Sequence, residues 1–397
     1  MNSIPIIDIS CLDKKTLALE WDNAFRTFGC CILIGHGIVT EEEIADNLFT
    51  EVKDEVLSFF AQPLETKMQF NFGPYGNDHG GYTPRSGEAV SQSNNQSEKQ
   101  HKQISVTSDP VESFVLKPQT YQQHANILPQ SSVYYEKCET LVYCLHALST
   151  RALGISEEEE EDYFRKYYSA TDKNAQGVGL PSFALRLAHY PPQVTQAPVG
   201  KDGTGCKEPE TRYGAHTDYM GFTVLRPDES DWSTDLEGSG GLEVFDRIKE
   251  CWTPVILSEN IRKTALIINA GDLLQRWTND RWVSPLHRVA GPQPCSPAAQ
   301  RSRTALVFFS GPMADALITV CPAACVTSTT TGEERGRDGE NQTSSFLSTS
   351  TTGKLIVEQG QGSTHSPVKY APVVAQDYLM SKINPTALSI ASGTSSS

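Results

Sequence analysis

Two histidines and one aspartate in the second half of the chain are residue types that bind a transition metal. His216 and Asp218 stand two positions apart, and residues i and i+2 of a strand point to the same face. A third candidate, His287, follows in the strand-like segment 282–289. Two imidazoles and one carboxylate on one face of an iron(II) ion leave positions open for further ligands. The three residues together predict a metal site, whereas the His-Thr-Asp triplet alone is more readily a surface or core pair without a metal.

Arginines near these residues indicate an anion beside the metal. Arg303 precedes the apolar run 304–309, and a guanidinium is suited to two-point capture of a carboxylate. The alternative for Arg303 is an ion pair at the rim. Arg186 and Phe309 are candidates for the wall of a substrate pocket. An arginine beside an iron centre favours a substrate carboxylate, and the alternative is a plain surface ion pair.

The spacing of apolar residues predicts the elements that must position these side chains. In the N-terminal part it predicts a strand at 4–9, a helix at 14–28, a strand at 30–34 and a long helix at 131–153. From residue 183 onward, short strand-like segments are separated by turn residues. These segments are 183–187, 221–225, 241–245, 265–269, 281–283 and 304–309. Such a series is typical of a β-sandwich or barrel, and a jelly-roll barrel can bring distant strands to one mouth.

Composition separates a core from segments outside it. Residues 87–108 are rich in Ser, Gln and Asn, and residues 326–366 are rich in Ser, Thr and Gly. Both inserts hold too few apolar residues to offset the entropy of ordering. We therefore expect both inserts, and the Ser-rich tail, to be flexible. The expected parts are a mostly helical N-terminal part at 1–175 with an insert at 87–108, a jelly-roll core at 176–325 and 367–388, a Ser/Thr-rich insert at 326–366, and a disordered tail at 389–397.

Charge and composition exclude several classes of partner. The 397-residue chain has a formal net charge of -15, which disfavours nucleic acid and anionic membranes. No apolar stretch approaches the length of a membrane span, and the N-terminus has no basic region typical of a secretory signal. The ten cysteines form no Cys-x-x-Cys pair, so we expect reduced thiols. We expect a cytoplasmic monomer that acts on a small-molecule substrate.

Short motifs follow one another in a defined order along the chain. They are IPIIDIS (4–10), Phe28-Gly29 with LIGHGI (33–38), LRLAHYPP (185–192), GAHTDY (214–219), GGLEV (240–244), NAGD (269–272) with WTND (277–280), and YAPV (370–373) with Tyr378-Leu379. In this order they resemble the iron(II)/2-oxoglutarate-dependent dioxygenases of the isopenicillin-N-synthase-like superfamily. Each motif is weak by itself, and the specificity comes from their ordered combination over most of the chain.

The resemblance implies a fold, a set of site residues and a reaction. The fold is mainly β with flanking helices, on a distorted double-stranded β-helix (jelly roll). His216, Asp218 and His287 would bind Fe(II). Arg303 would pair with the distal carboxylate of 2-oxoglutarate, and Tyr190 would hydrogen-bond this cosubstrate. With O2, such enzymes release succinate and CO2 while oxidising an unactivated C–H bond by hydroxylation, desaturation or oxidative ring closure. We expect a dioxygenase acting on a small, carboxylate-bearing metabolite in a specialised biosynthetic pathway.

Two positions depart from the family pattern beside the expected cosubstrate. Ala305 stands where the family usually has serine, two residues after the arginine, and Ala188 where it often has asparagine, two residues before the tyrosine. Each change removes a hydrogen-bond partner worth about 0.5–1.5 kcal/mol. Arg301 is an alternative for the arginine role. Two other functions stay open, which are an Fe(II) oxidase of the same superfamily that does not use 2-oxoglutarate, and a non-catalytic jelly-roll binding module.

Overall fold

The computed structural model of the protein describes residues 4–10, 13–38, 48–72, 80–85, 109–155, 163–171, 175–193, 211–233, 238–294, 296–328 and 363–383. The predicted insert 87–108, residues 329–362 of the second insert, and the tail 389–397 lie outside these ranges. Within them, no helix combines the length and apolarity that crossing a bilayer requires.

Helices and strands alternate irregularly along the described ranges. The helices are α1 (Lys14–Thr27), α2 (Leu48–Phe60), α3 (Leu64–Met68), α4 (Tyr121–His124), α5 (Pro129–Leu153), α6 (Glu259–Arg262), α7 (Asp272–Trp277) and α8 (Ala375–Ile383). The strands are β1 (Ile6–Asp8), β2 (Cys30–Ile34), β3 (Gly81–Thr83), β4 (Glu112–Leu116), β5 (Ala184–Tyr190), β6 (Tyr213–His216), β7 (Phe222–Arg226), β8 (Gly241–Asp246), β9 (Cys251–Pro254), β10 (Leu266–Ala270), β11 (His287–Ala290), β12 (Arg303–Phe309), β13 (Leu317–Ile318), β14 (Val326–Ser328), β15 (Ser363–His365) and β16 (Val373–Val374).

Two sheets form the core. The larger has the strand order β1-β2-β10-β7-β12-β5-β4-β3, and the smaller has the order β6-β11-β8-β9. Strands that are distant in sequence pair antiparallel, with β12 between β5 and β7, and β11 between β6 and β8. The chain therefore passes repeatedly from one sheet to the other, as in a jelly roll. The predicted fold class, a double-stranded β-helix with flanking helices, is confirmed.

Apolar layers cover both faces of the larger sheet. On its outer face, helix residues such as Trp21 pack with sheet residues such as Phe308. Between the two sheets, Leu225 and Ile267 of the larger sheet pack in one cluster with Val244 of the smaller sheet. Because alternate residues of a strand face opposite sides, each central strand contributes to both layers. The inner layer is the one that surrounds the candidate site.

The N-terminal range 1–175 contributes more to the sheet than its apolar pattern indicated. It carries α1 to α5 and also β1 to β4. Strands β1 and β2 form one edge of the larger sheet, and β3 and β4 form the other. The division of the chain at residue 175 stays a prediction, and the larger sheet extends across it.

Most predicted elements form where the pattern placed them, and one prediction is wrong. The helices predicted at 14–28 and 131–153 are α1 and α5. The strand predicted at 281–283 is instead a loop between α7 and β11. Trp282 in this loop is fully buried, and its indole N–H donates to Asp22 of α1 at 2.9 Å. Its apolar character therefore reflects packing under a helix rather than strand pairing.

A buried ionic cluster lies on the outer face of the larger sheet. The Glu112 carboxylate accepts hydrogen bonds from Lys67 Nζ at 2.6 Å and Tyr82 Oη at 2.7 Å, and lies 3.0 Å from His189 Nδ1. Burial alone would raise the pKa of Glu112, but hydrogen bonds from these three groups lower it to about 2. His189 also stacks on Phe60. It is therefore a packing residue and faces away from the inner layer.

We expect Glu112→Gln to lower the free energy of unfolding by about 3–5 kcal/mol at neutral pH, because it leaves the Lys67 ammonium buried without its charge partner. Since the folded pKa of Glu112 is lowered, its carboxylate stabilises the fold above its unfolded value of 4.5, and this stabilisation is lost as the pH falls towards about 2. Urea unfolding should therefore show that the difference in unfolding free energy between wild type and Glu112→Gln narrows as the pH falls. The control is Glu136→Gln on the exposed side of α5; a gap that ignores pH would contradict the prediction.

Candidate metal and cosubstrate site

His216, Asp218 and His287 come together where β6 ends and β11 begins. Asp218 Oδ1 lies 3.7 Å from Nε2 of His216 and 3.7 Å from Nε2 of His287. His216 is the register partner of His287 across the two strands. One ligand atom from each residue lies within 4.8 Å of the others. In the described ranges, no other group of three or more His, Cys, Asp and Glu side chains approaches in this way.

Hydrogen bonds fix which nitrogen of each ring faces the cluster. Nδ1 of His216 lies 2.8 Å from the carbonyl oxygen of Gly214, and Nδ1 of His287 lies 3.0 Å from that of Pro285. Each Nδ1 therefore holds the proton as a donor, and each Nε2 presents a lone pair. Burial and the neighbouring His287 lower the pKa of His216 to about 4, so the His216 ring is neutral near pH 7. Asp218 Oδ2 is buried without a hydrogen-bond partner. These donors fit a divalent cation such as Fe(II).

Asp218 lies in a turn and not on the strand that the spacing suggested. Strand β6 ends at His216, and the carbonyls of the following turn accept hydrogen bonds from the first amides of α7. The amide of Asp272 donates to Asp218 at 2.8 Å, and that of Leu273 donates to Tyr219 at 3.1 Å. These helix-terminal amides have no acceptor within their own helix. The start of α7 therefore holds the Asp218 backbone in place.

Helix α8 supports the same turn from the C-terminal side. Lys382 Nζ donates to the Asp272 carboxylate at 2.6 Å, and the Thr217 hydroxyl donates to it at 3.2 Å. Helix α8 thus reaches the segment that carries Asp218. The NAGD motif had no assigned role in the sequence, and the structure shows that its aspartate positions the metal-site turn.

The loop before His287 is held under α1. Trp282 is anchored by Asp22 of that helix, and Val283 meets the turn at Gly29. At Gly29 φ is +70°, and a Cβ atom would lie 2.1 Å from the Val283 carbonyl oxygen. Both the left-handed backbone and this close approach require glycine. The Phe-Gly motif near the N-terminus therefore helps to place His287.

Arg303 is buried and already engages one carboxylate. It is 1% exposed, and it lies opposite Tyr190 in the register of β12 and β5. Asp231, in the loop after β7, accepts hydrogen bonds from Nε and Nη2 of Arg303, both at 2.7 Å. Burial alone would lower the pKa of Arg303, but the Asp231 carboxylate raises it. Nη1 is buried without a partner. Arg303 is therefore not part of a rim ion pair, and it keeps one donor for a ligand.

The two alanines that depart from the family pattern face each other. Ala188 and Ala305 are register partners, and both belong to the inner apolar layer. Neither side chain can donate a hydrogen bond. Thr304 lies on the other face, because alternate residues of a strand face opposite sides, and its hydroxyl donates to Asp228 at 3.1 Å. Arg301, the alternative for the arginine role, is exposed.

Both candidate substrate residues lie in strands of the larger sheet, Arg186 in β5 and Phe309 in β12. Arg186 is 8% exposed, and its guanidinium carbon lies 5.0 Å from the centre of the Tyr213 ring. The Tyr213 and His216 ring centres are 5.0 Å apart. Phe309 is half-buried at the end of β12, where β7 begins after the turn that carries Asp218. The structure thus places Arg186 one ring away from a metal-site histidine.

Sequence reasoning missed Tyr213 and Asp231. Tyr213 precedes His216 by three positions, so a regular strand would put them on opposite faces. The register shifts between the β11 pairings of these two residues, and such a bulge redirects the side chains that follow. Asp231 lies in a loop and carries no periodic signal at all.

The chain matches two families of known proteins. Residues 4–131 match the N-terminal family of the non-haem dioxygenase in morphine synthesis, and residues 182–312 match the 2OG-Fe(II) oxygenase superfamily. A proline hydroxylase of Petromyces alliaceus is 27% identical over 71% of this chain and 79% of its own length. A 2-oxoglutarate-Fe(II) type oxidoreductase of Metarhizium rileyi is 25% identical over 78% of each chain.

Solved structures share the fold over nearly the whole chain. A full-length Neurospora crassa protein in complex with alpha-KG and thymine is 19% identical, with a TM-score of 0.61 and coverage of 96% of this chain and 97% of that one. A dioxygenase for auxin oxidation in rice is 18% identical, with a TM-score of 0.59 and coverage of 96% of each chain. At these identities the likeness shows the fold.

The family matches and the His-Asp-His cluster define the class of protein. The chain belongs to the 2OG-Fe(II) oxygenase superfamily. It is an Fe(II)- and 2-oxoglutarate-dependent oxidoreductase that uses O2. The predicted family, enzyme class and cofactors are confirmed.

Proposed function

We propose that the enzyme oxidises an unactivated C–H bond of a small metabolite that carries a carboxylate. In this proposal His216, Asp218 and His287 hold Fe(II), and Arg303 and Tyr190 hold 2-oxoglutarate. The observation that carries it is the approach of two imidazole nitrogens and one carboxylate oxygen to within 4.8 Å. Bound Fe(II) supplies the redox chemistry that couples O2 and 2-oxoglutarate to C–H oxidation, with release of succinate and CO2.

The chain's own residues would bind and orient the metal and the cosubstrate, and they would exclude water from the site. The backbone carbonyls of Gly214 and Pro285 hold the two metal-site imidazoles in one tautomer. Nη1 of Arg303, buried and unpartnered, is a donor for the distal carboxylate of 2-oxoglutarate. Apolar residues such as Leu225 and Val244 line the inner layer. They keep water away from the cosubstrate, which strengthens each charge interaction inside.

The substrate class follows from the charge next to the metal-site residues. The pKa of His216 is lowered mainly by burial and by His287, and the charge of Arg186 lowers it further. Arg186 is therefore close enough to influence the His216 ring. A buried guanidinium binds a carboxylate through charge-assisted hydrogen bonds. Phe309 would form an aromatic wall of the same pocket. The relative named a proline hydroxylase supports this class, since proline carries a carboxylate. The fungal origin of the curated relatives favours a specialised pathway.

The proposal is tested by supplying Fe(II), 2-oxoglutarate and O2 with a panel of small carboxylic acids and the matching methyl esters. We expect succinate release that depends on an acid of this panel. Mass spectrometry of the product then separates hydroxylation, which adds one oxygen atom, from desaturation or ring closure, which removes two hydrogens. O2 consumption without succinate, or equal turnover of acids and esters, would overturn the proposal.

We expect Arg186→Met to raise the KM for the carboxylate substrate about 10- to 100-fold, because a charge-assisted hydrogen bond is worth about 1.5–3 kcal/mol. The KM for the corresponding methyl ester should change little, and so should the affinity for 2-oxoglutarate. The control is Arg165→Met, which removes an exposed arginine. Equal losses for acid and ester would show that Arg186 acts through the fold rather than on a carboxylate.

A further inference from the structure

A second buried arginine lies close to the segment that leads into β12. Arg212 directly precedes β6, and its backbone amide donates to the Val289 carbonyl at 2.9 Å. Arg212 is 3% exposed. Its Nη2 lies 3.5 Å from the Arg301 carbonyl oxygen, at the long end of the hydrogen-bond range. Its Nε is buried without a hydrogen-bond partner. A buried guanidinium with so little satisfaction by the protein itself requires an explanation.

The charges around Arg212 show which groups it is near. Burial and the charge of Arg303 lower the pKa of Arg212 to about 10, while Asp231, Asp228 and Tyr190 act in the opposite direction. Arg212 therefore shares the surroundings of Arg303 and of the tyrosine expected to contact the cosubstrate. The two guanidiniums repel each other in this buried space.

The neighbouring aspartates are engaged by other cations. Asp231 forms the two-point ion pair with Arg303, and Asp228 lies 3.6 Å from Lys53 Nζ. Within the part of the chain that the structure describes, these two pairs leave the charge of Arg212 without a carboxylate of its own. The three cations Arg212, Arg303 and Lys53 and the two aspartates together have one net positive charge. Two guanidinium nitrogens have no hydrogen-bond acceptor, which are Arg212 Nε and Arg303 Nη1. One further carboxylate matches both the charge and the donors.

We propose that Arg212 binds the distal carboxylate of 2-oxoglutarate together with Arg303. The inference rests on the proposed function, since it deepens the cosubstrate site of that proposal. Asp231 holds Nε and Nη2 of Arg303, so that Nη1 is the donor left for the ligand. Arg212 supplies the second donor that Ala305 and Ala188 cannot provide. The site therefore selects 2-oxo acids with a second carboxylate.

The test is an anaerobic titration of the Fe(II)-loaded protein, followed by the visible absorption of the Fe(II)–2-oxo acid chelate. The two ligands are 2-oxoglutarate and pyruvate, which lacks the distal carboxylate. Arg212→Met keeps the apolar stem, and we expect it to raise the Kd for 2-oxoglutarate about 10- to 100-fold and to leave the Kd for pyruvate unchanged. Arg212→Lys keeps the charge and should restore part of the affinity. Arg301→Met, which removes the exposed neighbour, should change neither value.

The possible outcomes separate this inference from the proposed function. If the wild-type protein forms the chelate and Arg212→Met has an unchanged Kd for 2-oxoglutarate, the role of Arg212 is overturned. The proposed function is not affected by that result. Equal weakening of 2-oxoglutarate and pyruvate would also overturn the role of Arg212, because the arginine would then act through the metal site or the fold. Failure of the wild-type protein to form a chelate with either acid would overturn the proposed function and this inference with it.

Discussion

His216→Ala, Asp218→Ala and His287→Ala should each reduce succinate release below detection. Each variant removes one of the donor atoms that lie within 4.8 Å of one another, and two remaining protein ligands hold Fe(II) too weakly to retain it at working concentrations. We expect anaerobic metal analysis to show loss of bound iron in all three variants. Circular dichroism should show an intact fold, because these residues lie at strand ends and in a turn.

The Asp218→Ala variant should also show how much the buried carboxylate destabilises the metal-free protein. Asp218 Oδ2 is buried without a hydrogen-bond partner, and such a group destabilises a fold by about 1–3 kcal/mol. The metal-free Asp218→Ala protein should therefore unfold at a higher urea concentration than metal-free wild type. His36→Gln is the control, because the ring of His36 bonds the Thr264 carbonyl at 2.6 Å and His36 is not one of the three clustered residues. Full activity in any ligand variant would remove the metal assignment.

Arg303→Leu should have two separable effects. The 2-oxoglutarate concentration needed for half-maximal succinate release should rise by on the order of 100-fold, because a charge-assisted contact to the distal carboxylate is lost. The free energy of unfolding should fall by about 3–5 kcal/mol, because Asp231 is left buried without its partner. Steady-state kinetics and urea unfolding measure the two effects independently.

A second substitution distinguishes affinity from stability at this position. Adding Asp231→Asn to Arg303→Leu removes the stranded charge, so it should recover much of the unfolding free energy and none of the 2-oxoglutarate affinity. If the double variant regained affinity as well, the arginine would act only by stabilising the fold. An unchanged requirement in the single variant would move the role to another residue, such as Arg212.

The local pattern of the sequence predicted many of the elements and the three candidate metal residues. Helix α1, strand β2 and helix α5 follow from apolar periodicity, which depends only on neighbours a few positions apart. His216, Asp218 and His287 were identified by residue type and order. The reason given for His216 and Asp218 was nevertheless incorrect, since Asp218 lies beyond the end of β6. A turn anchored by α7, and not strand alternation, brings its carboxylate to the histidines.

The partners of the buried arginines could not be predicted from the local sequence pattern. Arg303 was correctly placed at the start of a strand, yet nothing local indicated that Asp231 would occupy two of its donors. Arg212 had no signal either, because an arginine before a short strand is ordinary. Their roles depend on which buried charges lack a partner, and that is a property of the assembled interior.

The sequence by itself determined the order of the predicted strands along the chain, the faces that side chains take within regular strands and the residue types at the candidate metal site. Only the tertiary structure decided that Gly29 must let Val283 approach, that Lys382 reaches Asp272, and that two arginines share one buried region. The physical reason is that periodicity fixes the direction of a side chain relative to its own backbone. Its partners are set by pairing and packing between segments far apart in the chain, where burial makes each unmatched charge or donor costly.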